Sequence, residues 1–173
     1  MIFQLPWSSR KAIFQYPIAP VPRTVVLVDW FDSSPLRVVQ TFAEGWTEQA
    51  AAYAPGAVAG TREQLLALAE QAPRLTHALI ILVRAGDPLT TAAERDRLWR
   101  AFGVPVFEQI IGEDGRLLAA ECEAHDGLHV AVGDRVWDGY WMVTVVCACG
   151  QKSPRLHAAE LVERERAAAA YAR

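Results

Sequence analysis

The chain has 173 residues, 52% hydrophobic and 21% charged, with a net charge of -3 and an isoelectric point near 5.8. That composition supplies a core for one domain and excludes a disordered chain, and the missing basic excess argues against nucleic acid as a partner. No apolar run approaches the roughly 20 residues of a membrane span, and Met1 to Pro6 lacks the basic and apolar regions of a secretory signal, so no membrane association and a cytoplasmic location are expected.

Residues 1–23 carry Pro6, Pro17, Pro20 and Pro22 and read as an extended arm made adhesive by Trp7, Phe14 and Tyr16. Thr24 to Val28 is a β-branched run expected to form a buried strand. Ser34 and Pro35 look like a helix start, and Leu36, Val39, Phe42, Ala43 and Trp46 share one face of a helix expected to reach Tyr53. A short strand follows at Ala57–Gly60. Thr61 and Gln64 form a capping box for a helix to about Gln71. His77–Val83 reads as an apolar strand, Thr91 and Glu94 cap a helix that Gly103 closes, and Val104–Gln109 reads as a strand.

Strands alternating with helices predict an α/β fold over residues 24–112, a partial doubly wound parallel sheet of about four strands with crossover helices. The pattern then changes. Arg116–Cys122, His129–Val132 and Trp141–Val146 are short strand-like runs joined by Asp/Gly turns, so residues 113–156 are expected to form a small antiparallel extension. An Ala/Glu/Arg-rich segment over residues 157–173 is expected to be a C-terminal helix.

All three cysteines fall in that extension. An odd number in a reducing compartment points to metal or free thiols rather than disulfides. Cys122 is followed by His125 and His129, and Cys147 and Cys149 stand in Cys-Ala-Cys-Gly, where glycine permits a tight backbone around one ion. Three thiolates and one imidazole make a closed tetrahedral site suited to structural zinc. His129, in the turn Asp126-Gly127-Leu128-His129, and His125 are alternative fourth ligands; three ordinary buried cysteines are the competing reading.

Several segments are similar to the phenylacetate–CoA ligase and coenzyme F390 synthetase family of adenylate-forming enzymes. They are Phe102-Gly-Val-Pro-Val-Phe-Glu-Gln109, Leu117 to His129, Cys147 to Leu156, Ala57 to Ala69, and Gly86-Asp-Pro-Leu-Thr90. The resemblance spans residues 57–130 and 146–156. It implies a zinc site of Cys122, His129, Cys147 and Cys149. Family members use ATP to activate a carboxylic acid and pass the acyl group to coenzyme A.

The departures lie at the parts that would do that chemistry. The glycine-rich phosphate loop is reduced to Ser33-Ser34. The aromatic-Gly-x-x-Glu motif is replaced by Ile110-Ile111-Gly112-Glu113-Asp114-Gly115, and no lysine-bearing C-terminal domain follows. The expectation is a non-catalytic zinc module, without catalytic or cofactor-binding residues, acting as an interaction or regulatory subunit in a homodimer or a hetero-complex. The alternative is a small-molecule binder or residual acyl-handling enzyme, with its pocket near Arg84–Gly86 and Glu108–Gln109.

Overall fold

Three short helices and eleven strands form in the computed structural model, which describes residues 11–32, 37–131 and 137–158. The strands are β1 (Ala12–Ile13), β2 (Thr24–Val26), β3 (Phe31–Asp32), β4 (Val39–Thr41), β5 (Ala57–Gly60), β6 (Ala78–Arg84), β7 (Val106–Ile111), β8 (Leu117–Glu121), β9 (Leu128–Val130), β10 (Tyr140–Val143) and β11 (Arg155–Ala158). The helices are α1 (Glu48–Ala52), α2 (Arg62–Leu68) and α3 (Ala92–Phe102). Nine strands make one sheet in the order β10-β11-β9-β8-β7-β6-β5-β2-β4, and β1 pairs with β3 beside it. From β4 to β7 the pairing is parallel; from β7 onward it is antiparallel.

Side-chain alternation divides β6 between two cores. Leu79, Ile81 and Val83 face a cluster with Ala50 of α1, Leu65 and Leu68 of α2, and Leu98 and Phe102 of α3. Ala78, Ile80 and Leu82 face a second cluster with Phe14, Phe31 and Phe107, flanked by Tyr16, Ile18 and Trp30. All three helices therefore cover one face. The other is covered by the arm and by the segment after β2.

This alters the doubly wound expectation. The winding direction does reverse at β2: the chain steps outward to β4, then returns through β5, β6 and β7. Handedness sends the β2–β4 connection to the opposite face, but its described residues build that layer without a helix.

The helix expected from Ser34 to Tyr53 is also corrected. Residues 33–36 lie outside the described set. Val39–Thr41 instead pairs with β2 as a fifth parallel strand, and only Glu48–Ala52 is helical. The β-branched Val38, Val39 and Thr41 suit a strand. Gly45 turns the chain at φ +90°, and Thr47 is the actual cap, its hydroxyl accepting from the Ala50 N–H at 3.3 Å. The two capping boxes, by contrast, form as expected at Thr61/Gln64 and Thr91/Glu94, and Gly103 closes α3 in the left-handed conformation.

The antiparallel extension is present and continues the same sheet. Its last strand falls where the C-terminal helix was expected to begin: His157 and Ala158 belong to β11, paired with Trp141 and Tyr140. Residues 159–173 of that expected helix, and Trp7 of the arm, lie outside the described residues. No helix among the described residues is long and apolar enough to cross a membrane.

A candidate metal centre in the antiparallel strands

Three segments converge at the ends of β8, β9 and β11. Cys122 follows β8 directly. The chain then turns through His125 (φ +48°) and Gly127 (φ +80°) into β9, which carries His129. The turn is tight: the His125 N–H reaches the Cys122 carbonyl at 3.0 Å. A side chain at Gly127 would meet His157 Nε2 at 2.7 Å and the Leu156 carbonyl at 2.8 Å, so a β-carbon does not fit there. The loop between β10 and β11 supplies Cys147 and Cys149. Gly150, at φ +86°, lets its N–H close a turn onto the Cys147 carbonyl at 2.9 Å.

The ligand atoms of Cys122, His129, Cys147 and Cys149 all lie within 4.8 Å of one another. Cys122 Sγ is 3.7 Å from Cys147 Sγ, and Cys149 Sγ is 3.4 Å from His129 Nε2. Cys122, His129 and Cys147 are buried, and Cys149 is half-buried. His129 Nδ1 is hydrogen-bonded to Ser153 Oγ at 2.9 Å. A proton held on Nδ1 and donated to Ser153 leaves the Nε2 lone pair aimed at the sulfurs, the arrangement a metal-ligating histidine needs.

The thiols are electrostatically unequal. The backbone N–H of Cys149 stabilises the Cys147 thiolate and lowers its pKa to about 6. Burial is the main influence on Cys122 and raises it to about 12. Three thiolates packed this closely repel one another, and a dication among them removes that penalty. The soft donor set and small separation fit a metal ion such as zinc.

His125, the alternative ligand in the sequence, points elsewhere. Its ring stacks on Phe107 with centroids 4.8 Å apart, and its Nδ1 is 3.9 Å from Glu121. His77 accepts or donates at Nδ1 with the Tyr16 hydroxyl at 2.8 Å, pinning the arm. His157 lies 3.7 Å from Asp126.

Two supporting residues went unassigned in the sequence. Ser153 orients His129. Buried Arg155 donates to the Asp126 carbonyl at 2.8 Å and the Val145 carbonyl at 3.2 Å and pairs with the Asp126 carboxylate, tying the Cys122–His129 turn to the Cys147 loop. Arg155 did carry a signal, since it falls in the Cys147 to Leu156 segment that resembles the ligase family.

Of the residues named for an acyl pocket, Arg84 and Glu108 are bound to neighbours, Gly86 is exposed, and Gln109 lines a cavity with its Oε1 unpartnered among the described residues. Arg84 lies over the Trp30 ring at 3.8 Å and donates to the Gly112 carbonyl at 3.3 Å. Glu108, buried with its carboxyl pushed upward by desolvation, accepts from the Thr90 N–H at 2.8 Å and hydroxyl at 2.7 Å. Gln109 donates to the Gln15 carbonyl at 2.9 Å. Gly112 to Gly115 forms a β7–β8 hairpin turn, with the Gly112 N–H on the Arg116 carbonyl at 2.9 Å.

No family model matches the chain, and no curated protein matches it. Among solved structures it is similar to a 2-hydroxyisobutyryl-CoA ligase, whose open conformation was crystallised with 2-HIB-AMP and CoA. The TM-score is 0.57 at 18% identity, over 80% of this chain and 44% of that one, so this chain spans less than half the ligase. The chain thus shares a fold with part of an AMP-forming acyl-CoA ligase and carries a buried Cys3His cluster that can bind a metal such as zinc.

Proposed function

We propose that this protein is a zinc-stabilised, non-catalytic relative of the adenylate-forming ligases that serves as an interaction or regulatory subunit. The convergence of Cys122, His129, Cys147 and Cys149 within 4.8 Å carries the reading. Four protein ligands fill a tetrahedral zinc shell and leave no position for substrate, which makes the site structural. The ion would tie the end of β8 and β9 to the β10–β11 loop.

Two further observations support a non-catalytic role. Where the similar family places an adenine-packing aromatic and a magnesium-binding glutamate, this chain has Ile110, Ile111 and a plain hairpin turn. Of the polar groups on the neighbouring strands, Arg84 and Glu108 are hydrogen-bonded to neighbours. An interaction role is supported by the apolar side chains exposed at the β10 end of the sheet: Met142 at 49%, Val145 at 70% and Val146 at 58%.

Metal analysis of protein purified without chelator should return about one zinc per chain; metal-free protein would reject the reading. Calorimetric titration with ATP and magnesium should show no binding in the micromolar range, and a saturable heat there would favour the acyl-handling alternative. For assembly, light scattering should give a mass above the 19.1 kDa of one chain, for a homodimer or for a complex with a co-purified partner. A 19.1 kDa species alone would reject self-association.

A further inference from the structure

A cavity of about 260 Å³ lies against the metal cluster, between Gln15–Pro17 of the arm and Gln151 and Ser153 of the metal loop, with Cys122 and His129 in its wall. One water occupies about 30 Å³ of liquid, so the cavity admits a molecule the size of hydrogen peroxide together with water. Behind Cys122, at 3.7 Å, lies the sulfur of Cys147. The S–S bond length is about 2.05 Å, so closing the pair needs roughly 1.7 Å of approach.

We infer that Cys122 and Cys147 form a redox-exchangeable fastening: a peroxide-class oxidant converts them to a disulfide that releases the metal yet keeps the lobe tied. The inference rests on the metal reading above. With the metal bound, Cys122 would be held as a thiolate despite its burial; that sulfur attacks one peroxide oxygen, an S–O bond forms, the O–O bond breaks and hydroxide leaves. The Cys147 thiolate then attacks the Cys122 sulfenic sulfur; the S–S bond forms, the S–O bond breaks and a second hydroxide leaves. Two thiolates lose two electrons in total, and one peroxide is reduced to two hydroxides, which protonate to water. His129 and Cys149 remain, too few to retain the ion. The new bond joins the same two segments that the metal joined, the end of β8 and the β10–β11 loop. It also closes the chain between residues 122 and 147, which keeps the constraint on the unfolded lobe.

The test uses the full chain, with its zinc content measured before oxidation. Metal-free protein at that stage would overturn the metal reading and this inference with it. Zinc-loaded protein treated with hydrogen peroxide should release zinc in a one-to-one ratio with disulfide formed. Tryptic peptides 117–135 and 136–152 should appear cross-linked, with fragment spectra placing the bond at Cys147. Backbone exchange in residues 117–158 should stay close to that of the zinc form, and thiol reductant with added zinc should reverse the change. The wild-type cross-link depends on no variant folding, and Cys149→Ser, which leaves Cys122 and Cys147 as the only cysteines, should still form it. Zinc retention, zinc release with only sulfinic or sulfonic cysteines, or a cross-linked lobe that exchanges as if unfolded would each overturn the inference.

Discussion

The two halves of this single sheet are held together by different physics. Strands β4 to β7 lie between fourteen buried residues on the helical face and twelve on the other, among the described residues. The antiparallel strands β8 to β11 share a cluster of only five: Ile110, Leu118, Ala119, Leu128 and Leu156. Apolar burial stabilises at about 25 cal/mol per Å², so with fewer buried apolar side chains the second half draws less of its stability from a core than the first. The second half instead concentrates polar fastenings, with four candidate metal ligands and the Arg155 clamp on β9, β11 and the loops that precede them. Small lobes that cannot build a core commonly depend on such a fastening.

The largest effect should come from breaking the second half at its ligands. Structural zinc in small domains contributes roughly 10–16 kcal/mol of apparent binding free energy at neutral pH, so Cys147→Ser should empty the site. Hydrogen exchange should then rise across residues 117–158 while β5 and β6 stay protected. Equal loss of protection in both halves would show that the metal is not local to the lobe.

The converse cut is Ile80→Ala, at a fully buried position in the centre of β6. It should cost about 2–5 kcal/mol in denaturant unfolding, and zinc content under native conditions should remain near one per chain. Loss of zinc in the still-folded variant would couple the halves more tightly than their packing implies.

Ser153→Ala probes the lobe more gently. It removes the hydrogen bond that orients His129, and metal affinity should fall about 10–100-fold with little change in the apo protein. Unchanged affinity in a chelator competition would mean that Ser153 does not orient the ligand.

The smallest effect concerns the first half. Thr91→Ala removes the α3 cap and should cost about 1 kcal/mol. Hydrogen bonds from the Thr91 hydroxyl, then from its backbone N–H, hold the Glu94 carboxyl below the usual carboxylate range. Stability from this pair is therefore present above the ordinary carboxylate pKa and is lost as pH falls through the lowered folded value. Thr91→Ala should flatten the acid limb of stability against pH; an unaltered limb would remove Glu94 from that account.

What could be read in the sequence divides along the same line. α2 and α3 were legible because each opens on a Thr with Gln or Glu three residues on. The ligand set was legible because Cys-x-Cys-Gly and the flanking residues of Cys122 name their own chemistry. Residue spacing left His125 and His129 open and the family resemblance pointed to His129; the Phe107 ring that engages His125 comes from β7, which local spacing does not reveal. The helical period of Leu36, Val39, Phe42 and Trp46 misled because Val39–Thr41 gains its pairing from β2, which local spacing does not reveal. β11 was hidden similarly: Arg155–Ala158 is held by β9 and β10, while the alanine-rich sequence that follows suggested a helix.

The central claim is that a metal at Cys122, His129, Cys147 and Cys149 secures the antiparallel half of the sheet. Hydrogen exchange on protein of known zinc content, before and after treatment with a strong chelator, tests it most directly. One zinc per chain, with chelation raising exchange in residues 117–158 and leaving residues 57–84 protected, is the result expected here. Protein purified without zinc, or chelation that removes zinc and leaves exchange in residues 117–158 unchanged, would contradict the claim.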